Sequence, residues 1–312
     1  MKILVYFKMA EEYYQLIRDA AQGHQVVIAE EVEEAAREAT DAEIVYGLCP
    51  PEVFARAKKL KWFQSQSAGL DHVLFPEIVE SNVVVTNASG LYASQAADHA
   101  FALLLGLARG INRFSENRLT RTWKHQQLLE TPGWTLGIVG MGGFGQNMAK
   151  RGKGFDMRVI AVDAYRREKP DYVDELWGME LLDDLLRVSD AVMVACPLTP
   201  ETRHLLNAGK LALMKPTAYL INVARGGIVD EAALVRALRE RRIAGAGMDV
   251  YEVEPLPQDN PLWDLDNVIL TPHVAGSSQH RPRLTVEFFC DNLRRYFRGE
   301  PLRNVVDKRK GF

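Results

Sequence analysis

The alternation of short apolar runs with longer amphipathic segments constrains the fold of this chain more than any other feature. The runs have the length of β-strands, and the segments between them have the length and mixed polarity of helices. A helix between two strands returns the chain to the starting edge of the sheet, so successive strands pair in parallel. The sequence therefore predicts an α/β fold with parallel sheets. The predicted strands span 3–6, 25–29, 43–46, 62–65, 83–86, 158–162, 191–195, 218–223, 246–249 and 268–271, with one more that begins at 135.

One predicted helix, at about 91–113, is apolar nearly all round in its middle. Such a helix is buried on several sides, either inside its own domain or against a second subunit, and the sequence leaves both possibilities open. A final helix is predicted at 283–298. The length of 312 residues indicates two domains. Because no low-complexity linker separates them, we expect two lobes in close contact with an active site in the cleft between them.

Composition and charge argue against several classes of partner. The formal net charge of −3 gives no reason to expect nucleic acid or an acidic membrane as a partner. The longest apolar run, at 100–108, is too short to span a bilayer, and the N-terminus has no secretory signal. Cys49, Cys196 and Cys290 lack the spacing of metal ligands, which fits a reduced cytoplasmic protein without a metal centre.

The segment GIVGMGGFGQ contains the motif G-x-G-x-x-G at Gly140, Gly142 and Gly145. Alone the motif is a weak signal, but an apolar strand precedes it, a helix-compatible run follows it, and Asp163 ends the next predicted strand. In that context the glycines permit a tight turn, the approach of a pyrophosphate, and close packing of helix on strand. The helix N-terminus attracts phosphate, and Asp163 can accept hydrogen bonds from a ribose. These features predict a Rossmann-type dinucleotide site.

Three polar residues follow predicted strands in the second half of the chain: Arg225 after YLINVA, Glu254 after GAGMDVYEV and His273 after VILTP. Ligands of open α/β sheets bind at the carboxyl ends of strands, so the three side chains are expected to converge beside the cofactor. Each has an ordinary structural explanation when taken alone. Beside a dinucleotide motif they indicate a site of hydride transfer.

The three residue types suit the reduction of a ketone that carries a carboxylate. Negative charge develops on the carbonyl oxygen as hydride arrives, and a histidine can donate a proton to it near neutral pH. A carboxylate such as that of Glu254 fixes the tautomer of the ring, and Arg225 can grip the substrate carboxylate with two parallel hydrogen bonds. We expect Gly226 and Gly227 to let the backbone and the substrate come close, so that Arg225 faces an anionic substrate rather than water.

The motifs SAGLDHV at 67–73, GMGGFGQ, PLTPETRHLLN at 197–207, NVARGGIVDE, GMDVYEVEPLP at 247–257 and TPHVAG at 271–276 occur in this order along most of the chain. By these motifs the chain resembles the D-isomer-specific 2-hydroxyacid dehydrogenases, in particular the glyoxylate and hydroxypyruvate reductases. The resemblance implies two doubly wound parallel-sheet domains. One is a Rossmann-type dinucleotide-binding domain at 89–282, and the other is a flavodoxin-like substrate domain at 1–88 that 283–312 completes.

The resemblance also implies roles for residues and an assembly. Arg225 orients the substrate, His273 is the acid and base, and Glu254 is the partner of His273. Backbone N–H groups of Ala68 and Gly69 bind the substrate carboxylate, and a homodimer forms through the helix near 91–113. Asp249 holds the nicotinamide carboxamide. The full set of residues expected to contact the cofactor is Gly140, Gly142, Gly143, Phe144, Gly145, Asp163, Cys196, Pro197, Ala224 and Asp249.

The predicted activity is the NAD(P)H-dependent, reversible reduction of a small 2-oxo acid, such as glyoxylate or hydroxypyruvate, to the D-2-hydroxy acid. The strand before the 67–73 motif lacks the arginine of phosphoglycerate-specific relatives, which argues against a phosphorylated substrate. Asp163 favours NAD, while Arg166 and Arg167 leave NADP possible. Residues proposed to line the substrate pocket are Leu48, Leu70 and Tyr92. Arg281 is interpreted as an exposed arginine at a helix start.

Two other functions stay open. Transcriptional corepressors share this fold and the three polar residues, so the chain could instead be a dinucleotide-sensing binding protein. It could also be a different dehydrogenase on the same fold, for example one that oxidises an inorganic anion. The absence of a basic patch and of a long disordered tail in the sequence makes the first of these the weaker alternative.

Overall fold

The computed structural model describes residues 1–311, which form two compact units. Unit 1 contains residues 1–92 together with the chain from Ser278 onward, and unit 2 contains Ala93–Ser277. The boundaries that we predicted from the sequence, after 88 and after 282, lie a few residues from these. Among residues 1–311, no helix is both long enough and apolar enough to cross a bilayer.

Unit 1 is built on a parallel sheet of five strands in the order β2-β1-β3-β4-β5. This order is that of flavodoxin-like folds, with the reversal between β1 and β3. The strands are β1 (Lys2–Tyr6), β2 (Gln25–Ala29), β3 (Ile44–Gly47), β4 (Trp62–Ser65) and β5 (Val84–Thr86). The helices are α1 (Glu11–Ala20), α2 (Val32–Glu38), α3 (Pro51–Arg56), α4 (Pro76–Glu80) and the last helix of the chain, α11 (Arg281–Arg298).

Both faces of this sheet are buried, because successive residues of each strand point to opposite sides and both sets are apolar. On one side Ile3 and Val5 pack with Phe289 of α11. On the other side Leu4 packs with Val53 of α3. The C-terminal helix therefore belongs to the core of unit 1.

Unit 2 is a seven-stranded parallel sheet in the order β12-β11-β10-β9-β6-β7-β8. Counted from β6, this is the Rossmann order extended by one strand, with the reversal between β6 and β9. The strands are β6 (Thr135–Val139), β7 (Arg158–Val162), β8 (Glu175–Trp177), β9 (Ala191–Val194), β10 (Tyr219–Asn222), β11 (Gly245–Met248) and β12 (Val268–Leu270). The helices are α5 (Ala93–Ala108), α6 (Ile111–Leu119), α7 (Gly143–Gly154), α8 (Leu182–Val188), α9 (Ala208–Leu211) and α10 (Glu231–Arg239). The predicted α/β class with two doubly wound sheets is confirmed.

The prediction of a single helix at 91–113 is wrong. It is two helices, α5 and α6, because Gly110 takes a left-handed conformation (φ = 63°) that ends the first and begins the second. The buried residues of α5, such as Leu104, pack with Leu136 and Ile221 in the core of unit 2. The apolar middle of α5 is thus explained inside its own unit. The short strand β8 was not predicted, since three partly buried residues give little periodic signal.

Candidate active site

The glycine motif lies in the turn between β6 and α7, as predicted. Gly140 has φ = 100°, and a Cβ there would lie 2.7 Å from the backbone nitrogen of Cys196. A Cβ at Gly145 would overlap the carbonyl oxygen of Gly140, so these two glycines are required by the packing of the protein itself. A Cβ at Gly142 would meet nothing within 4 Å. Open space therefore remains beside Gly142, which is where a pyrophosphate would approach.

The start of α7 provides the donors for that anion. Gly142 is the N-cap residue, and no side chain caps the helix. The first N–H groups of an α-helix have no acceptor within the helix, and the helix dipole favours negative charge beside them. Gly143, Phe144 and Gly145 occupy this first turn. The turn is thus suited in shape and in charge to hold phosphate, as expected for a dinucleotide site.

Asp163 follows β7 directly and is fixed by three backbone donors. One carboxylate oxygen accepts from the N–H of Met141 in the glycine turn at 2.6 Å. The other accepts from the N–H groups of Tyr165 at 2.8 Å and Arg166 at 2.7 Å. The carboxylate is therefore held at the carboxyl edge of the sheet, against the turn that receives the phosphates.

Cys196, Pro197 and Ala224 follow β9 and β10, on the side of the sheet reversal opposite β7. The close approach of Cys196 to Gly140 places its loop against the glycine turn. Burial raises the pKa of the Cys196 thiol to about 12, so it stays protonated and is not a nucleophile at neutral pH. These residues flank the crevice at the topological switch point of unit 2, where ligands of such sheets bind.

The three predicted chemical residues follow neighbouring strands. Arg225 comes after β10, Glu254 after β11 and His273 after β12, all at the carboxyl edge of the sheet. Nδ1 of His273 lies 2.7 Å from Oε2 of Glu254. An ionised carboxylate only accepts hydrogen bonds, so Nδ1 carries the proton and Nε2 is left for exchange with a substrate. The side chain of His273 is 46% exposed, which keeps the ring accessible.

The backbone of His273 is in the left-handed region, with φ = 53°. This conformation costs a residue with a side chain about 1–3 kcal/mol and persists only where surrounding contacts impose it. Here the N–H of His273 donates to the carbonyl oxygen of Asp249 at 2.8 Å. The Asp249 carboxylate then accepts from the N–H groups of Val274 at 2.9 Å and Ala275 at 2.8 Å. Asp249 thus fixes the turn that aims the imidazole.

Asp249 is fully buried, and its carboxylate also accepts from the hydroxyl of Thr271 at 2.6 Å. Nε2 of His99, on α5, lies 2.8 Å from the same hydroxyl. In the structure Asp249 therefore acts as a positioning residue for His273. Its contact with a nicotinamide carboxamide stays a prediction.

The loop that carries Arg225 is held from two sides. The fully buried side chain of Asn222 accepts from the N–H of Ala224 at 3.1 Å and donates to the carbonyl oxygen of Arg225 at 2.9 Å. A Cβ at Gly226 would overlap the carbonyl group of Tyr251. Of the two close approaches expected here, the structure shows that of the backbone, because Gly226 lets the loop of Arg225 pack against the loop of Glu254. The approach of a substrate stays a prediction.

Glu254 is also held in place by that second loop. Its Oε1 accepts from the N–H of Tyr251 at 3.0 Å while Oε2 faces His273. The positioning residues Asn222, Thr271 and Tyr251 were missed from the sequence. The sequence does contain a signal for Asn222, because it is a polar residue that ends an otherwise apolar strand. The structure buries this side chain completely.

The predicted carboxylate-binding loop of unit 1 follows β4. Asn87 donates to the carbonyl oxygen of Ala68 at 2.8 Å, which orients this peptide group. Among residues 1–311, no acceptor is bonded to the N–H of Ala68 or of Gly69. Of the residues proposed to line a pocket, Leu70 and Tyr92 are buried and Leu48 is exposed. The roles of all of these stay predictions.

Comparison with known proteins identifies the chain. Residues 101–275 match the family described as D-isomer specific 2-hydroxyacid dehydrogenase, NAD binding domain. A glyoxylate reductase from Korarchaeum cryptofilum is 40% identical over 96% of this chain and 91% of its own length.

Two solved structures extend the match to the whole fold. A D-isomer specific 2-hydroxyacid dehydrogenase from Xanthobacter autotrophicus Py2, in complex with NADPH and MES, superimposes with a TM-score of 0.87 at 32% identity, covering 100% of this chain and 99% of that one. An NADPH-dependent glyoxylate/hydroxypyruvate reductase from Sinorhizobium meliloti, in complex with NADP and sulfate, gives a TM-score of 0.88 at 28% identity, with the same coverage. The glycine turn of this chain fits the dinucleotide cofactor NAD(P). The chain belongs to the D-isomer specific 2-hydroxyacid dehydrogenase family.

Proposed function

We propose that the protein reduces a small 2-oxo acid to the D-2-hydroxy acid with NAD(P)H. The observation that carries this proposal is the His273–Glu254 pair, at 2.7 Å, on the sheet edge that also carries the glycine turn and Arg225. A paired imidazole beside a dinucleotide site is suited to proton transfer coupled to hydride transfer. The name of the relative that is 40% identical, glyoxylate reductase, supports the same reaction class.

The chain's own residues account for the other requirements of the reaction. The reduced nicotinamide supplies a hydride when it is bound. In the reducing direction the doubly protonated ring of His273 donates its Nε2 proton to the carbonyl oxygen of the substrate and becomes neutral. Its Nδ1–H donates to Glu254 throughout, which keeps the ring oriented. Arg225 binds the substrate carboxylate and fixes which face of the carbonyl group is presented. In the reverse direction Nε2 accepts the hydroxyl proton.

The substrate that we propose is small and unphosphorylated, with glyoxylate and hydroxypyruvate as the first candidates. The last two residues of β4 and the residue that follows are Gln64, Ser65 and Gln66. None of them carries a positive charge that could pair with a phosphate. The backbone N–H groups of Ala68 and Gly69 are proposed as further donors to the substrate carboxylate.

A substrate panel tests this function. The purified protein should consume NADH or NADPH with at least one of glyoxylate, hydroxypyruvate and pyruvate, followed at 340 nm. An inorganic-anion dehydrogenase would show turnover with the anion and none with 2-oxo acids. A protein that binds the dinucleotide tightly but turns over no member of the panel would be a sensor, and the enzyme proposal would be wrong.

We propose NAD as the preferred form of the cofactor. The Asp163 carboxylate is fixed by three backbone donors and would lie beside the adenosine ribose. Its charge would repel the 2′-phosphate of NADP by about 4 kcal/mol at ~4 Å with an effective dielectric constant of ~20, before screening by salt. Arg167 cannot offset this repulsion freely, because its guanidinium already donates to the carbonyl groups of Asp163, Ala164 and Arg166.

Replacing Asp163 with asparagine should raise the ratio of kcat/KM for NADPH to that for NADH. The amide keeps the size of the side chain and removes the charge, and each 1.4 kcal/mol of repulsion removed changes the ratio about tenfold. Steady-state kinetics with both cofactors measure it. Glu168→Gln, which removes an equal charge from an exposed residue nearby, should leave the ratio unchanged. A parent protein that already prefers NADPH severalfold would contradict the assignment.

We also propose a homodimer in a reducing, cytoplasmic setting. Trp123, Leu119 and Ile111 are 93%, 74% and 56% exposed, and they lie on or beside α6. Side chains of 114–128 surround a cavity of about 650 Å³ in the same region. Apolar exposure on this scale is typical of a surface that another chain covers. The proposed interface is thus α6 and the segment that follows, rather than the buried α5.

Sedimentation velocity tests the assembly. The parent protein should sediment as a dimer of the 312-residue chain, and Trp123→Glu should shift it towards the monomer. Trp263→Glu is the matched control, since Trp263 is exposed elsewhere on unit 2, and it should stay dimeric. A parent protein that sediments as a monomer would contradict the proposed dimer without affecting the proposed catalytic function.

A further inference from the structure

Unit 1 contains a cavity of about 350 Å³ at the carboxyl edge of its sheet. Phe7 follows β1, Tyr46 lies near the end of β3 and Gln66 follows β4, and all three line the cavity. The strand order reverses between β1 and β3, so the cavity is at the topological switch point of this sheet. In open parallel sheets that crevice is where ligands bind. The topology alone therefore makes it a candidate ligand site.

The opposite wall is the first turn of α11, where Arg281 provides the only cation among the lining residues. Its guanidinium lies over the ring of Tyr92, 4.6 Å from the centroid. Within residues 1–311 the guanidinium makes no hydrogen bond or ion pair. Other arginines of this helix are paired, for example Arg283 with Glu287 at 2.7 Å and Arg295 with Asp291 at 3.0 Å. Arg281 is thus positioned by a cation–π contact while its five donors remain available.

A second donor faces the same cavity. Tyr46 is 1% exposed and stacks on Phe289 at 4.2 Å, yet its hydroxyl has no hydrogen-bond partner in the described part of the chain. Burial raises the pKa of Tyr46, so the hydroxyl stays neutral and can donate. Because Tyr46 lines the cavity, its unpartnered hydroxyl is available to a ligand there. The amide of Gln66 adds a further possible donor on the same edge.

The charge of the cavity decides which ligand fits. Among the described residues no aspartate or glutamate lines it, and the N-terminal end of the 18-residue α11 adds a positive dipole end beside Arg281. The rest of the wall is apolar or aromatic, with Phe7, Met9, Tyr13 and Val286. The volume equals that of roughly a dozen water molecules in the liquid. An anionic head on a short apolar body matches these walls.

We propose that this cavity of unit 1 binds a small carboxylate through Arg281, Tyr46 and Gln66, with the apolar part of the ligand against the aromatic walls. The ligand that we expect is a separate monocarboxylate, held by residues of unit 1 alone.

The first arm of the test is a calorimetric titration of the full-length protein with benzoate. Arg281→Gln should weaken benzoate binding at least tenfold, because the guanidinium is the only charged donor. Tyr46→Phe, which removes one hydroxyl and keeps the ring, should weaken it a few-fold. Arg283→Gln is the matched control, since Arg283 is on the same helix but paired with Glu287, and it should bind as the parent does. This arm does not depend on turnover.

The second arm is kinetic and uses glyoxylate as the substrate. Arg281→Gln should leave KM for glyoxylate unchanged while benzoate binding is lost, because the cavity is lined by residues of unit 1 alone. A protein without turnover would refute the proposed function and leave the titration standing. Benzoate affinity that is unaffected by Arg281→Gln would overturn the inference.

Discussion

Replacing His273 with asparagine should lower kcat by roughly 10²–10⁴, the usual contribution of a general acid, while NAD(P)H binding stays close to that of the parent. The physical reason is the loss of Nε2 as proton donor, since an amide does not ionise near neutral pH and cannot act as a general acid. Asparagine is chosen because it tolerates the left-handed backbone of this position, φ = 53°, better than most residues. Stopped assays of turnover and fluorescence titration of the cofactor measure the two effects separately.

His204 provides a matched control. It also has a left-handed backbone, φ = 50°, and its Nε2 lies 3.0 Å from a glutamate oxygen of Glu252. His204→Asn should therefore cause any general loss of stability that such a change brings, but it should keep kcat within about twofold. Near-native turnover of His273→Asn across the pH range would show that His273 is not the acid.

Replacing Arg225 with lysine should lower kcat/KM for 2-oxo acids by about 10- to 100-fold. Lysine keeps the charge but loses the planar fork that binds a carboxylate with two parallel hydrogen bonds, and a hydrogen bond to a charged group contributes about 1.5–3 kcal/mol. The loop itself should survive, since Asn222 holds the backbone of Arg225 rather than its side chain. Steady-state kinetics with glyoxylate and with hydroxypyruvate measure the effect.

Arg187→Lys tests whether any loss of a guanidinium in unit 2 has this effect. Arg187 is an exposed residue paired with Asp184 on α8, and its replacement should leave kcat/KM unchanged. If Arg225→Lys and Arg187→Lys both match the parent, then Arg225 does not contact the substrate carboxylate and the proposed orientation of the substrate is wrong.

The sequence was most informative where a single local rule decides the structure. Strands such as Gln25–Ala29 and Arg158–Val162 have the predicted bounds, because both faces are apolar and turn residues flank them. The glycine turn was predictable for the same reason, because all of its glycines lie within a few residues and each meets a local requirement of the turn. The convergence of Glu254 and His273 followed from the rule that carboxyl ends of parallel strands share one edge.

The features that could not be predicted depend on contacts between distant parts of the chain. Gly226 is required by the backbone of Tyr251, and Asp249 fixes the turn of His273 from the neighbouring strand. Neither contact has a periodic signature. The interpretation of Arg281 as an exposed helix start was made from position alone. Its place over Tyr92, beside a cavity at the sheet reversal, follows only from the three-dimensional arrangement.

The most direct test of the proposed activity is the product formed from hydroxypyruvate and NADH. Chiral chromatography after complete reaction should give D-glycerate alone, with one molecule formed for each NADH oxidised, because Arg225 and His273 present one face of the carbonyl group to the cofactor. Formation of L-glycerate or of a racemate, or the absence of any NADH-dependent product from hydroxypyruvate and from glyoxylate, would contradict the proposed reaction.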